Sequence, residues 1–211
     1  FYWLDDQGRV MKLVGSAQEA LELVSTNGTG DSLVVDWISR VLYWVQDYPD
    51  NQPSAIVQYD LSSDANQYNV LIRRTAMGRV VANPYDQSLY WTERDKQGQG
   101  HLMRSKMDGS DIHSMLEKSN ETDQKRRRRR RQQSCTCPEL SVSDILVLDQ
   151  TRLEQPEIFL VDDTSGAIWA TDLDGCRCRR VVDPESETGG IGLPPDSVTV
   201  DMNHLYWTNN R

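Results

Sequence analysis

Phenylalanine is nearly absent from this 211-residue chain: two Phe stand against six Trp and eight Tyr. Aromatic burial therefore rests on rings with a polar edge, which need a hydrogen-bond partner or a wet margin. Histidine is equally scarce. His101, His113 and His204 are the whole set, and none is spaced with an acid as a metal ligand or catalytic base would be. No run of about 18 apolar residues exists, so no membrane-spanning helix is encoded. The longest apolar stretch, 33–45, is broken by Asp36, Ser39 and Arg40. The opening Phe1-Tyr2-Trp3-Leu4-Asp5-Asp6 lacks the basic start of a signal peptide, which predicts a segment excised from something larger. The Gly189-Gly190-Ile191-Gly192 run lacks the strand and helix that flank a phosphate loop, and Pro194-Pro195 follows it, so it reads as a linker.

What is present is a repeat. Tyr2-Trp3-Leu4-Asp5, Tyr43-Trp44-Val45-Gln46, Tyr90-Trp91-Thr92-Glu93 and Tyr206-Trp207-Thr208-Asn209 are variants of one tetrapeptide, with a weaker copy at Phe159-Leu160-Val161-Asp162. The copies are separated by 41, 47, 69 and 47 residues. A short β-branched run ending in a polar turn precedes them, as in Leu33-Val34-Val35-Asp36-Trp37, Val80-Val81-Ala82-Asn83-Pro84 and Val198-Thr199-Val200-Asp201-Met202. A second strand-like run follows each of the first four copies, closed at 107–109 and 173–175 by Asp-Gly hairpin signals, and a third follows at 69–72, 112–116 and 180–182. Self-similarity at this period, with strands alternating with turns, predicts blades of a propeller rather than an ordinary sandwich. Asp36, Asp86, Asp149 and Asp201 read as equivalent blade positions. That recurrence argues for a structural role, because a catalytic residue is needed once.

The segments Asp36-Trp37…Leu42-Tyr43-Trp44 and Asp86…Leu89-Tyr90-Trp91-Thr92 resemble the YWTD repeats of LDL-receptor-type proteins, nidogen and the Ros/Sevenless receptor tyrosine kinases. The resemblance spans nearly the whole chain outside 117–140. It implies an all-β, YWTD-type β-propeller of six four-stranded blades, of which residues 1–211 would hold about four, starting and ending mid-blade. It further implies that the Tyr and Trp of each copy fill the space between blades, while the fourth-position Asp ties neighbouring blades. Asp5 and Asp162 match that position; Gln46, Glu93 and Asn209 depart from it. The eroded pattern fits the divergent Ros/Sevenless group better than the regular LDL-receptor type.

The 69-residue interval exceeds its neighbours by 22 residues, and the surplus falls at 117–139, a polar segment predicted to be a disordered insertion between blades. One Lys and six Arg occupy 125–131 without interruption. Removing those seven charges from the net −9 leaves a body of −16, which speaks against a uniform nucleic-acid-binding surface. Three readings of the block stay open. It is a proprotein-convertase site cut after Arg131, a contact for sulfated glycans or anionic lipid, or a solvated charge run. A nuclear-localisation reading conflicts with the extracellular features.

Those features begin with the cysteines, Cys135 and Cys137 beside the insertion and Cys176 and Cys178 after Leu173-Asp174-Gly175. A bridge within a Cys-x-Cys unit is strained, so the expected arrangement links one pair to the other, with connectivity open. A four-thiolate zinc site is the competing reading. Asn27 and Asn120 head N-x-T sequons and are candidate glycosylation sites. Even, clustered Cys with sequons favour the secretory route.

No catalytic constellation, cofactor motif or metal cluster is legible. The expectation is a non-catalytic extracellular propeller of a single-pass cell-surface receptor, without cofactor. Its partners would be a protein ligand, in the Ros/Sevenless case a membrane protein on an adjacent cell, and the other domains of the same ectodomain, with no nucleic acid. The alternatives are a propeller of an LDL-receptor-related endocytic receptor or a nidogen-like matrix protein, and, more remotely, a propeller enzyme with a metal at its axis.

Overall fold

The computed structural model describes residues 1–15, 19–26, 28–50, 52–63, 67–116, 137–151, 154–184 and 194–209. Among them are seventeen β-strands and no helix. Strand order in each sheet follows chain order, as hairpin connections require. The first sheet contains β1 (Tyr2–Leu4), β2 (Arg9–Val14) and β3 (Glu19–Ser25). The second has β4 (Thr29–Asp36), β5 (Val41–Asp47), β6 (Ser54–Asp60) and β7 (Tyr68–Arg74). The third has β8 (Met77–Asn83), β9 (Ser88–Arg94), β10 (Gly100–Lys106) and the two-residue β11 (His113–Ser114). The fourth has β12 (Val142–Asp149), β13 (Glu157–Asp162), β14 (Ile168–Asp172) and β15 (Cys178–Val182). β16 (Ser197–Val200) and β17 (Leu205–Thr208) form a two-stranded sheet.

The Tyr-Trp tetrapeptides occupy β1, β5, β9, β13 and β17. In β5, β9 and β13 burial is nearly continuous instead of alternating. Such strands have neighbours on both edges and packing on both faces, so their sequences are apolar at successive positions. The outer strands β3 and β7 are mostly exposed, and there polar and apolar residues mix.

The chain divides into two compact units. One contains Phe1–Gly98 with Arg104–Ile112, the other Gln99–Met103 with His113–Arg211. In the first, Val10, Leu42, Trp44, Ala55, Val57 and Tyr59 are buried together, with Tyr2, Leu4, Leu33 and Tyr68 packed against them. Trp44 is fully buried and meets Tyr68 edge-on at 5.6 Å between ring centroids. Each large side chain so buried contributes about 1.5–3 kcal/mol. In the second, Phe159, Val161, Ile168, Ala170 and Val198 form the cluster, joined by Ile145, Val147, Leu205 and Trp207.

Two irregularities recur from sheet to sheet. The ladder between the first and second strands shifts register at Gly30/Ser32, Met77/Val80 and Val142/Leu146. The ladder between the last two strands of the first, second and fourth sheets shifts at Val10/Met11, Ile56/Val57 and Ile168/Trp169. Bulges at matching places add local twist where strands must bend. In β4 the bulge turns Ser32 towards the next sheet, where its hydroxyl donates to the Val80 carbonyl and accepts the Val80 N–H, both at 3.1 Å.

A small residue lies at or just before the strand that follows four of the tetrapeptide strands: Ser54 and Gly100 open β6 and β10, Gly8 precedes β2, and Gly166 stands two residues before β14. A β-carbon on Gly8 would collide with the Gly28 carbonyl oxygen, and one on Gly100 with the Val142 carbonyl. At these two places the start of the strand after the tetrapeptide strand thus runs against the entry to the next sheet's first strand. The Asp-Gly turns form as the sequence predicts, with Gly109 at φ 79° and Gly175 at φ 67° joining β10 to β11 and β14 to β15.

One equivalence needs correction. The residue closing the first strand is Asp36, Asn83 or Asp149, and Asp201 stands just after β16; Asp86 is not in this set. Each of the four accepts N–H bonds from the following turn: Ile38 and Ser39 on Asp36, Tyr85 on Asn83, Thr151 on Asp149, Asn203 and His204 on Asp201. Asn serves as well as Asp because the turn needs only a side-chain oxygen two residues upstream. Asp86 sits inside the turn.

Candidate functional site

The five tetrapeptide copies are not used alike. Tyr43, Trp44, Tyr90 and Trp91 are buried, as are Phe159 and Asp162, whereas Tyr2, Trp3 and Trp207 are half-buried and Tyr206 is half exposed. Burial raises the Tyr43 hydroxyl pKa to about 12, helped by the nearby Asp36 charge, and pushes Tyr90 higher still for the same reasons, burial first and then Asp86. The Trp91 indole donates to Glu93 Oε2 at 3.2 Å. Trp44 has Gln46 in the matching place, and neither the Trp44 Nε1 nor the Gln46 amide atoms have a partner among the described residues.

The fourth positions depart from the contacts that the family resemblance implies. Asp5 turns into its own hairpin, accepting the backbone N–H of Gln7 and Arg9 and the Arg9 guanidinium at 2.7 Å. The Arg9 backbone bond, opposed by partial burial and supported by the Arg9 side chain, lowers its pKa. Asp162 likewise binds Ser165 in its own turn. It also accepts the Ser141 N–H, and Ser141 Oγ in turn accepts the Gly100 N–H. The side chain that reaches the neighbouring sheet directly is Glu93, 3.9 Å from Arg74 at the end of β7. An aspartate placed one step before a tight turn meets the turn's amides first; glutamate is one methylene longer.

The turns that lead into β5 and β9 hold exposed aromatic and aliphatic side chains. Trp37, Ile38 and Tyr85 are 52%, 56% and 56% exposed, and the rings of Trp37 and Tyr85 touch edge-on at 5.9 Å. Arg40 and Gln87 complete these turns at φ 59° and 57°, the left-handed region in which glycine or asparagine is the cheaper residue. Beside Tyr85, the Asp86 carboxylate is fully engaged by the Ser88 N–H, the Tyr90 hydroxyl at 3.0 Å and Arg104 at 3.2 Å. Asp36 is fully buried, and its Oδ2 has no hydrogen-bond partner among the described residues. Arg40 is exposed and has no ion pair among the described residues. The repeat pattern includes Trp37 without giving it a role of its own. The signal that could have found it is an adjacent Trp-Ile pair inside a turn, matched by Pro84-Tyr85 in the turn after β8.

Cys137 and Cys178 form a disulfide that ties the segment entering β12 to the start of β15, and Cys176 is disulfide-bonded as well. Cys135, Asn27, Asn120, Arg131 and most of the 117–139 segment lie outside the described residues. Among the described residues no group of three or more His, Cys, Asp or Glu side chains is placed to hold a metal ion.

No protein-family model matches the chain. It is 29% identical over 178 residues to the human proto-oncogene tyrosine-protein kinase ROS, covering 83% of this chain and 7% of that protein. The chicken ROS kinase is 23% identical over 215 residues, covering 99% of this chain and 9% of the relative. The chain therefore spans less than a tenth of the length of these relatives. Among solved structures it is similar to a chain of a nidogen/laminin complex, with a TM-score of 0.65 and 16% identity over 96% of this chain and 67% of that one. The fold is that of a β-propeller. The same arrangement is shared with a nutrient-binding protein from Bacteroides thetaiotaomicron, at a TM-score of 0.62, 10% identity and 94% and 50% coverage. Propeller sheets thus recur across very different sequences. The likeness to ROS is the informative one, because it is a likeness of sequence.

Proposed function

We propose that the chain is a non-catalytic extracellular propeller from the ectodomain of a single-pass receptor tyrosine kinase of the Ros/Sevenless type. It binds a protein ligand and helps to set ectodomain architecture. The observation that carries this reading is the 29% identity to human ROS over 178 residues, on a chain of propeller fold. The disulfide between Cys137 and Cys178 supports an oxidising compartment. The specific expectation is an insect Sevenless-like receptor, whose ligand sits on the membrane of an adjacent cell. A nidogen-like matrix role is the second reading, favoured by the structural likeness to the nidogen/laminin complex.

The test uses the whole receptor in secretory cells. Surface labelling should find this segment outside the cell, and co-culture with cells bearing candidate membrane ligands should raise receptor tyrosine phosphorylation. Deleting residues 1–211 should abolish the response while leaving the rest of the receptor at the surface. A response that survives the deletion, or a cytosolic product with reduced cysteines, would overturn the proposal. The same preparation reports two further expectations: cleavage after Arg131, and glycans on Asn27 and Asn120 removable by an endoglycosidase.

A further inference from the structure

We infer that the Trp44 indole and the Gln46 side-chain amide hold internal water between the first and second sheets, where the third sheet makes a direct side-chain bond instead. The inference goes beyond the receptor reading and does not depend on it.

Three observations carry it. First, polar groups are left bare in a fully buried place. Trp44 and Gln46 are both at zero exposure, and the Trp44 Nε1, Gln46 Oε1 and Gln46 Nε2 atoms have no hydrogen-bond partner among the described residues. The indole can only donate, whereas the amide both donates and accepts. Buried groups of this kind are paired with protein or with ordered water, because a bare one forfeits its hydration. Second, the two side chains share a face. Alternate residues of β5 point to one side of the sheet, and on that side Trp44 packs with Val10, Val24 and Leu4 of the first sheet. Third, the nearest stretch of main chain supplies no side chain to either group. A β-carbon on Gly28 would lie 3.4 Å from Gln46 Cγ, and one on Gly30 3.4 Å from Trp44 Cδ1, the ring carbon bonded to Nε1. Gly30 is also the ladder partner of Gln46.

The third sheet provides the contrast. Trp91 and Glu93 stand where Trp44 and Gln46 stand in the second, and the Trp91 indole donates to Glu93 Oε2 at 3.2 Å. Glu93 in turn lies 3.9 Å from Arg74 of the preceding sheet. Neither the indole nor the amide carries a charge, so an ion in the second sheet's site would be buried without a counter-charge from them. A neutral molecule that donates and accepts is the fitting occupant, and water is the smallest. It accepts the Trp44 N–H and donates to Gln46 Oε1, while Gln46 Nε2 donates to a second water.

The experiment uses the full chain, with water itself as the probe. NOESY and ROESY spectra at the water frequency examine each indole proton, and Trp44→Phe identifies the Trp44 signal. Trp44 Hε1 should give a water cross-peak with the sign of a residence time longer than about a nanosecond, whereas Trp91 Hε1, bonded to Glu93, should give none. The peak should vanish in Gln46→Met, which keeps the volume and removes the polar atoms. Oxygen-17 relaxation dispersion should count about one or two fewer long-lived waters in that variant. In urea unfolding, Trp44→Phe and Gln46→Met should couple by about fivefold or more in the unfolding equilibrium constant, because each removes a bond of the same water. A wild-type Trp44 proton without a long-lived water cross-peak overturns the inference, and that spectrum decides even if Gln46→Met does not fold. Coupling between the two variants without such a peak reveals a direct Trp44–Gln46 bond and overturns it equally. A peak and a water count that both survive Gln46→Met do the same.

Discussion

Replacing Gly100 with alanine tests whether the sheets are held as close as the structure places them. Gly100 opens β10, and its backbone N–H donates to Ser141 Oγ at 3.2 Å, at the entry to β12. A β-carbon there would collide with the Val142 carbonyl oxygen, with the Val142 carbonyl carbon 2.7 Å and its nitrogen 3.0 Å away. All three atoms are backbone, so no side chain can rotate away and a strand entry must move. Overpacking of this kind costs about 1–3 kcal/mol and occasionally more, and we take about 3 kcal/mol because the obstacle is main chain. The lost chain entropy of glycine returns about 0.4–1 kcal/mol. The net is about 2–2.5 kcal/mol, or roughly 4–10 °C in unfolding temperature for a chain of this size.

Gly98 is the control. It sits at φ 84°, and a β-carbon added to it would meet nothing within 4 Å, so Gly98→Ala carries a conformational penalty alone. That penalty is about 1–2 kcal/mol before the same entropy return, leaving about 0–1.6 kcal/mol. Urea unfolding followed by tryptophan fluorescence measures both variants. If Gly100→Ala costs no more than Gly98→Ala, the close approach is not present in solution and the packing argument is refuted.

Gln87→Gly should stabilise the protein by up to about 1 kcal/mol, because the turn before β9 holds a non-glycine residue at φ 57°; an unchanged or lowered urea midpoint would count against it. Reduction should destabilise. The Cys137–Cys178 bridge closes a separation of 41 residues, worth up to about 4 kcal/mol in chain entropy, so a reductant should lower the denaturation midpoint without change of pH. Acid should weaken the fold through its turns. Asp201 is held at about 2 by the Asn203 N–H, then the Tyr206 hydroxyl and the His204 N–H, so its folded pKa lies below the unfolded 3.8. Its contribution is present above pH 4 and is lost as pH falls towards 2, and a carbon-13 carboxyl titration with an Asp201 midpoint near 4 would contradict this. Asp5, lowered chiefly by the Arg9 N–H, titrates in the same direction.

Much of the fold is legible in the order of residues. Three Tyr-Trp pairs and the Phe159-Leu160 copy mark the second strand of the second to fifth sheets, Tyr2-Trp3 marks the first strand of the first sheet, and the Asp-Gly pairs mark two hairpins. The small residue at or just before the strand after the tetrapeptide strand is not legible in this way. It stands 6, 11, 10 and 7 residues after the first tetrapeptide position, at Gly8, Ser54, Gly100 and Gly166. Because the hairpins between them differ in length, aligning the repeat by period scatters these residues. The strand-closing residue of the third sheet escapes the repeat pattern for a related reason, since Asp86 follows Asn83 by three and both are turn formers.

By itself, then, the sequence determined that the chain repeats and where the repeated tetrapeptide strands and two of the tight hairpins fall. Those properties depend on composition and spacing along one strand, where neighbours in sequence are neighbours in space. Only the tertiary structure decided which side chains meet across strands and sheets. It turned Asp5 and Asp162 into their own hairpins and gave the reach across to Glu93. It placed bulges at matching rungs, and it brought Trp37 and Tyr85, 48 residues apart, into ring contact at the surface. Such contacts depend on turn geometry and side-chain length, quantities that a repeat of residue types does not encode.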